Sequence, residues 1–380
     1  MIHVHSQIPC LPRDWLRDQS KHIQGTDRLL AAFAEEFKVK CTVHSKFHNL
    51  VQFKYNQIEA DFSEPIVRQC RGLILDSLRR WNVVAWPMDK FFNHGEGLAA
   101  NIDWESAKAF EKLDGSLIIM YWYEGSWHVG TSGMPNASGL VHGHAMSFEE
   151  LFWYTWNERR FKLPETYRRC YTFMFELTSK WNRVVVKHDE PDIRLLAVRS
   201  IYSGTESETD WFPEYNPVMG IKMTTVKDAE EAFGFMDPLV QEGYVIRDKA
   251  FRRIKVKHPG YVAIHHLKDS FTPRRVLEVI RQGETPELLA SFPEWRGTFD
   301  RVRAAYDGLA AVLAQSYDEI KGIESRKDFA EQAIATVHAG TMFLLRDGKV
   351  KTVKESLSGI HIDRLMDMLG VRDILVEELQ

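Results

Sequence analysis

The stretch EKLDGSLI (111–118) sets Lys112 two residues ahead of a carboxylate, Asp114, with a Gly115-Ser116 turn leading into an apolar run. A lysine so placed stands in a loop at the mouth of a sheet, where its amine could attack an electrophile. A free lysine has a pKa of about 10.4 and is cationic near neutrality. Nucleophilic work therefore requires nearby cations or partial desolvation to disfavour the ammonium form. On its own, Lys-x-Asp-Gly reads as readily as a surface turn.

Three downstream segments add groups suited to the same chemistry. In YTFMFELTSKWNRVVV (171–186), Glu176 stands among apolar residues on its strand face, and a carboxylate there needs a partner. In EGYVIRD (242–248), Glu242 adjoins Gly243, where backbone can approach a ligand closely. In RRIKVKHPGYV (252–262), Ile254 and Val256 alternate with Lys255 and Lys257, which puts two lysines on one strand face. Each has a plainer reading: a buried ion pair for Glu176, a turn acid for Glu242, an edge-strand solubility device for the lysines.

The elements that must position these groups are strands and turns. RGLILD (71–76) and NVVAW (82–86) are short apolar runs joined by the polar turn SLRR. SLIIMYWY (116–123) and SWHVGTS (126–132) flank Glu124-Gly125, a hairpin signal. YTFMFELTS alternates Tyr171, Phe173 and Phe175 with Thr172, Met174 and Glu176, and SKWNRVVV reads as its continuation. EGYVIRD and RRIKVKHPGYVAI continue the strand style, while MPNASG (134–139) and SGTESETDWFPEYNP (203–217) read as loops. Past about residue 270, apolar residues recur every three or four positions, with Gly or Pro at several segment ends. The expectation is an α+β fold: an antiparallel-sheet domain over 1–268, then an all-α carboxy-terminal domain over 269–380, with the boundary near 266–272.

Composition sets the outer limits. A chain of 380 residues that is 44% hydrophobic and 12% aromatic is not disordered. A formal charge of -4 excludes a globally basic nucleic-acid binder but not a local basic surface. Arg247, Lys249, Arg252, Arg253, Lys255, Lys257, Lys268, Arg274 and Arg275 form such a stripe against only Glu242, Asp248 and Asp269. It reads equally as a polyanion-binding surface or a solvated face. Cys10, Cys41, Cys70 and Cys170 are scattered without a CxxC pair, which argues against zinc or a disulfide framework and for a reducing compartment. The amino terminus lacks a signal-peptide pattern, and no apolar run approaches the roughly 18–20 residues of a membrane span. A soluble, cytoplasmic protein without a membrane partner is expected.

Taken in order, the KxDG loop, the Glu176 strand, Glu242-Gly243 and Lys255-Val256-Lys257 resemble the covalent nucleotidyltransferase superfamily of polynucleotide ligases and mRNA capping enzymes. Narrower features are similar to the bacteriophage tRNA-repair RNA ligase family: CRGLILD (70–76), MDKFFNHGE (88–96), the extended KxDGSL, IRLLAVR (193–199), and KVKHPGYVAIHHL with Tyr261. The resemblance covers roughly residues 45–268. One departure is TSGM (131–134), where Ser132 stands at the place of an expected triphosphate-binding lysine.

The resemblance implies an ATP-grasp-like ligase domain that joins RNA 3′-hydroxyl and 5′-phosphate ends in three steps. Lys112 takes AMP from ATP, AMP passes to the RNA 5′-phosphate, and a 3′-hydroxyl displaces it. It further implies that Arg71 and Lys90 contact the ATP phosphates, that Phe92 stacks on adenine, and that Lys255 and Lys257 hold α- and β-phosphates. Asp114, Gly115 and Tyr261 complete the nucleotide site. Glu176 meets ribose or metal-bound water, and Glu242 holds Mg²⁺ or Mn²⁺. Implied partners are RNA, with nicked tRNA among the candidates, and a separate end-healing kinase or phosphatase for a monomeric enzyme of phage or bacterial type. Two alternatives stay open: another ligase or capping enzyme, in which an OB-fold would be expected in place of the helical tail, and a non-catalytic nucleic-acid-binding module on the same scaffold.

Overall fold

The computed structural model of the protein describes residues 8–141, 144–267, 272–283, 285–286, 289 and 295–371. The chain divides into two compact units, residues 1–265 and 266–380.

Three sheets build the first unit. The first is an antiparallel meander of β1 (Val39–Val43), β2 (Leu50–Tyr55), β3 (Arg71–Asp76) and β4 (Asn82–Ala85). Its strands alternate as period-2 patterning demands. Val51, Phe53, Leu73 and Leu75 pack beneath helices α1 (Leu11–Gln19) and α2 (Thr26–Phe37), which contribute Leu16, Leu29, Leu30 and Phe33. Leu50, Ile74 and Ala85 face the other way, onto Ile119 and Tyr121. The short helix α3 (Pro65–Gln69) leads into β3. Gly72 interrupts the β2–β3 register with φ +95, and a Cβ there would lie 2.6 Å from Ile119 Cδ1.

The second sheet runs in the order β11-β10-β9-β7-β8. Its members are β7 (Ser116–Tyr123), β8 (Ser126–Thr131), β9 (Tyr171–Thr178), β10 (Asp192–Ser200) and β11 (Glu206–Ser207). Helix α4 (Phe148–Glu158), started by a Ser147–Glu150 capping box, lays Leu151, Phe152 and Trp156 among Phe173, Phe175 and Leu195. The third sheet has the order β12-β6-β13-β14-β5: β12 (Gly220–Lys222), β6 (Lys108–Glu111), β13 (Gly243–Arg247), β14 (Arg253–Lys257) and β5 (Phe92–Asn93). Only the β14–β5 pair among these is parallel. Helix α5 (Val226–Phe233) covers Ala109, Ile246, Ile254 and Val256 with Ala229 and Phe233.

The second unit is helical. Helices α7 (Pro273–Gln282), α8 (Arg296–Ile320), α9 (Arg326–Ile334), α10 (Ala339–Arg346), α11 (Val353–Ser358) and α12 (Ile362–Leu369) follow α6 (Pro259–Leu267). Helix α8 buries Phe299, Val302, Tyr306 and Leu313 along one stripe. No helix among the described residues is long and apolar enough to cross a membrane.

Two strand readings are corrected. GYVAI belongs to α6 rather than to a strand, because Pro259 fixes φ at the first helical turn and cannot donate to a ladder. SKWNRVVV does not prolong β9, which ends at Thr178. The amides of Val185 and Val186 instead donate to Asp114 Oδ2, both at 2.7 Å.

Candidate functional site

Lys112 lies in the link between β6 and β7, where two backbone contacts fix it. Its own N–H donates to the Gly243 carbonyl at 2.9 Å, and the Gly115 N–H donates to Glu176 Oε1 at 3.0 Å. Both partners are glycine for a reason of space. A Cβ on Gly115 would stand 2.4 Å from the Leu177 carbonyl oxygen, and one on Gly243 would stand 2.3 Å from that of Val256.

The Lys112 ammonium meets Glu242 Oε2 at 2.5 Å, and Lys257 meets the other oxygen at 2.8 Å. Glu242 is buried at 2% exposure, so one buried carboxylate is shared by two cations and the triad keeps a net positive charge. A cavity of about 210 Å³ opens beside this triad, lined by Arg71, Phe91, Lys112, Glu176, Lys255 and Lys257. Ile254 and Val256 are buried and alternate with the two lysines of β14. Arg71 lies 5.4 Å from the Phe91 ring, and its Nη1 is buried without a hydrogen-bond partner. An orphaned guanidinium nitrogen in a cavity of lysines suits an anionic guest.

Burial pushes the Glu176 carboxyl up to about 7; the Lys112 and Arg71 cations and the Gly115 N–H oppose that shift, and the Glu242 charge adds to it. Its folded value thus lies above the ordinary 4.5. The stability this gives is complete below about pH 4.5 and is lost as pH rises through about 7. Glu176→Gln, which cannot ionise, should therefore gain stability relative to the parent between pH 5 and 8 in paired urea titrations. A constant difference across that range would contradict the assignment.

Asp114 and Tyr261 are joined to each other rather than turned toward the cavity. The Tyr261 hydroxyl donates to Asp114 Oδ1 at 2.8 Å while Oδ2 receives the amides of Val185 and Val186. Asp114 is a bracket that ties the lysine loop to α6 and to the 185–186 segment. Lys90 and Phe92 line an adjoining groove of about 700 Å³. The Lys90 ammonium lies over Phe62, Tyr55 and Phe92, at 4.4, 5.0 and 5.3 Å from the ring centroids. Phe91 was missed: it lines both spaces and faces Arg71 and Lys255. Its one-residue offset from Phe92 in MDKFFN was the available signal.

The basic stripe divides between an inner set, the buried Arg247 and Arg253 with the mostly buried Lys257, and the exposed Lys249, Arg252 and Arg274. Arg247 pairs with Glu208, and Arg253 holds Glu206 through two bonds at 2.5 and 2.8 Å. Arg252 pairs with Asp248, and Lys249 with Asp103. In the helical unit, Arg274 engages Glu278 and Asp363, and Arg275 engages Glu278. Lys268 and Asp269 lie outside the described residues.

The chain is similar to known RNA ligases. The model of a family described as RNA ligase matches residues 69–261. A protein of Autographa californica nuclear polyhedrosis virus, described as a bifunctional polynucleotide kinase/RNA ligase, is 33% identical over 68% of this chain, which spans 40% of that relative's length. An RNA ligase of Rhodothermus phage RM378 is 27% identical over 83% of this chain and 89% of its own. Among solved structures, an archaeal ATP-dependent RNA ligase aligns over 85% of this chain and 89% of its own with a TM-score of 0.44 and 15% identity.

Proposed function

Because this chain belongs to the RNA ligase family, we propose that it joins RNA 3′-hydroxyl and 5′-phosphate ends with ATP, carrying AMP on Lys112. The observation that carries this reading is the cation-lined cavity in which the Lys112 amine, the unsatisfied Arg71 nitrogen, Lys255 and Lys257 converge. Within it, the Lys112 nitrogen forms a bond to the α-phosphorus of ATP as the bond to pyrophosphate breaks. The electron pair leaves on pyrophosphate and one proton leaves the nitrogen. Before that, Lys112 must part from Glu242, whose contact favours the unreactive ammonium. Lys257 stays on Glu242 when Lys112 leaves, and Arg71 and Lys255 are placed to take the charge of the triphosphate. The 5′-phosphate of RNA then takes the AMP, and the 3′-hydroxyl expels it as the phosphodiester forms.

Among the described residues no group of three or more metal-ligating side chains is present. That suits Mg²⁺ or Mn²⁺ held by one or two carboxylates together with substrate phosphates and water. Glu242 and Glu176 would supply the protein oxygens, and the ion would neutralise phosphate charge. Asp114, Gly115 and Tyr261 build the nucleotide site from beneath by fixing the lysine loop, with Lys90 and Phe92 at its outer side.

We assign the helical unit to substrate selection, with nicked tRNA the leading candidate, and the whole to a cytoplasmic monomer. Ends of other chemistry would need a separate kinase or phosphatase. The direct test is the intact mass after incubation with a divalent metal and either ATP or GTP, followed by sealing assays on nicked tRNA, nicked duplex, single-stranded RNA and DNA. An AMP-sized adduct from ATP alone and sealing of RNA are expected. No adduct, or one formed equally from GTP, would remove the reading.

A further inference from the structure

A row of cations crosses the inner face of the four-stranded sheet. In β1, Val39 and Cys41 belong to the outer core, so Lys40 lies on the opposite face. Lys40 is directly across from Lys54, and Lys54 from Arg71. Strict alternation would aim Arg71 with Leu73 into the outer core. The irregularity at Gly72, which leaves Lys54 opposite Arg71 rather than Gly72, turns Arg71 to the side of Lys54. Two contacts place that side. Gln52, two residues before Lys54, donates to the Thr131 carbonyl at 2.8 Å. The Lys54 ammonium nitrogen lies 3.1 Å from where a Cβ on Gly133 would be, and Ser132 Cα lies 3.1 Å from the corresponding point on Gly72.

Lys54 thus reaches along the 131–134 turn beside a guanidinium whose Nη1 has no partner. Like charges directly opposite on a sheet repel, and among the described residues neither cation forms a salt bridge, although the Arg71 charge also acts on Glu176. A multiply charged anion entering between them would relieve that repulsion. Arg71 also lines the Lys112 cavity, so Lys54 stands one strand, about 4.8 Å, beyond it.

We infer that Lys54 is a phosphate-binding residue of this chain, holding with Arg71 the pyrophosphate end of ATP, and that Gly133 is small so that the ammonium can lie across it. The inference rests on the ligase reading above and deepens it. When the bond between nitrogen and the α-phosphorus forms, charge gathers on the departing pyrophosphate oxygens, and two fixed cations there stabilise it. An RNA backbone would call on the same cations only in the later steps.

Lys54→Ala and Lys54→Arg, made in the full chain, separate these cases through three measurements: single-turnover formation of protein-bound AMP from ATP, its reversal by pyrophosphate, and sealing of pre-adenylated RNA without ATP. Lys54→Ala should slow the first two by about 10- to 100-fold, the range of a lost charged hydrogen bond, and leave the third within about twofold, which also reports folding. Lys54→Arg should retain most activity. Lys54→Ala combined with Ser132→Lys, which returns a cation to the same turn, should recover much of the loss. Lys40→Ala, at the exposed end of the row, serves as the surface-charge control and should change nothing. Equal loss in all three measurements, or no loss in the two that involve pyrophosphate, overturns the inference. If the parent protein takes up no AMP at all, the ligase reading falls and this inference with it.

Discussion

Lys112→Ala should take up no label from α-³²P-labelled ATP, and its ATP-dependent RNA sealing should fall by more than about 1,000-fold, while it should still seal pre-adenylated RNA within about tenfold of the parent. The size follows from the kind of group removed. Positioning and charge-stabilising side chains each contribute about two to three orders of magnitude, but alanine at this position deletes the nitrogen to which AMP is bonded. Lys112→Arg should be as inactive in labelling, since a guanidinium stays protonated and is not a nucleophile. The step that starts from adenylated RNA needs no lysine nucleophile, which is why it should survive. The main confounding effect is on Glu242: without Lys112 it keeps Lys257 at 2.8 Å. A buried carboxylate with one partner left should lower stability by about 1–3 kcal/mol, visible as a modest fall in Tm without loss of the folded state. Continued labelling of Lys112→Ala would move the AMP elsewhere and end the assignment.

How far the sequence foretold this site depends on the range of the signal. Lys255 and Lys257 were legible because strand alternation is local: Ile254 and Val256 go inward, so the lysines share the other face. Glu176 was legible as an acid stranded on an apolar strand, and burial does raise its pKa. Glu242 was legible as a residue but not in its contacts. Its partners Lys112 and Lys257 come from the β6–β7 link and the far end of the β13–β14 pair, and no local pattern reports that convergence. Asp114 and Tyr261 were read as members of one nucleotide site, but their hydrogen bond to each other across 147 positions had no local signal. The ion pairs of the basic stripe were hidden for the same reason. Its acidic partners Glu206, Glu208 and Asp103 lie on other segments, so a one-dimensional charge count could not show that Arg247 and Arg253 are buried in ion pairs while Lys249 pairs at the surface. Arg71 is a subtler case, because simple alternation points it to the wrong side and only the irregularity at Gly72 corrects it.

The second large effect concerns a residue that carries no functional group. Gly243→Ala should lower stability by about 2–4 kcal/mol and reduce AMP uptake by more than about 100-fold, the range expected when a methyl is forced against backbone at a φ that L-residues avoid. Gly243 has φ +146, and the added Cβ would lie 2.3 Å from the Val256 carbonyl oxygen and 2.8 Å from Lys257 Cα. Neither neighbour is the flexible end of a side chain, so relief must come from shifting the start of β13 away from β14. That displacement acts on the site from three directions. It moves Glu242, the residue before it. It disturbs Lys257, its register partner. It also draws away the carbonyl that receives the Lys112 N–H at 2.9 Å. Gly297→Ala, whose Cβ would meet nothing within 4 Å and which lies in α8, is the matched control and should raise stability slightly. The two contributions separate by measuring AMP uptake well below the variant's Tm. A Gly243→Ala protein that melts early yet takes up AMP at the parent rate would show that the strand can move without moving the lysine, and the backbone would then have no part in holding the nucleophile.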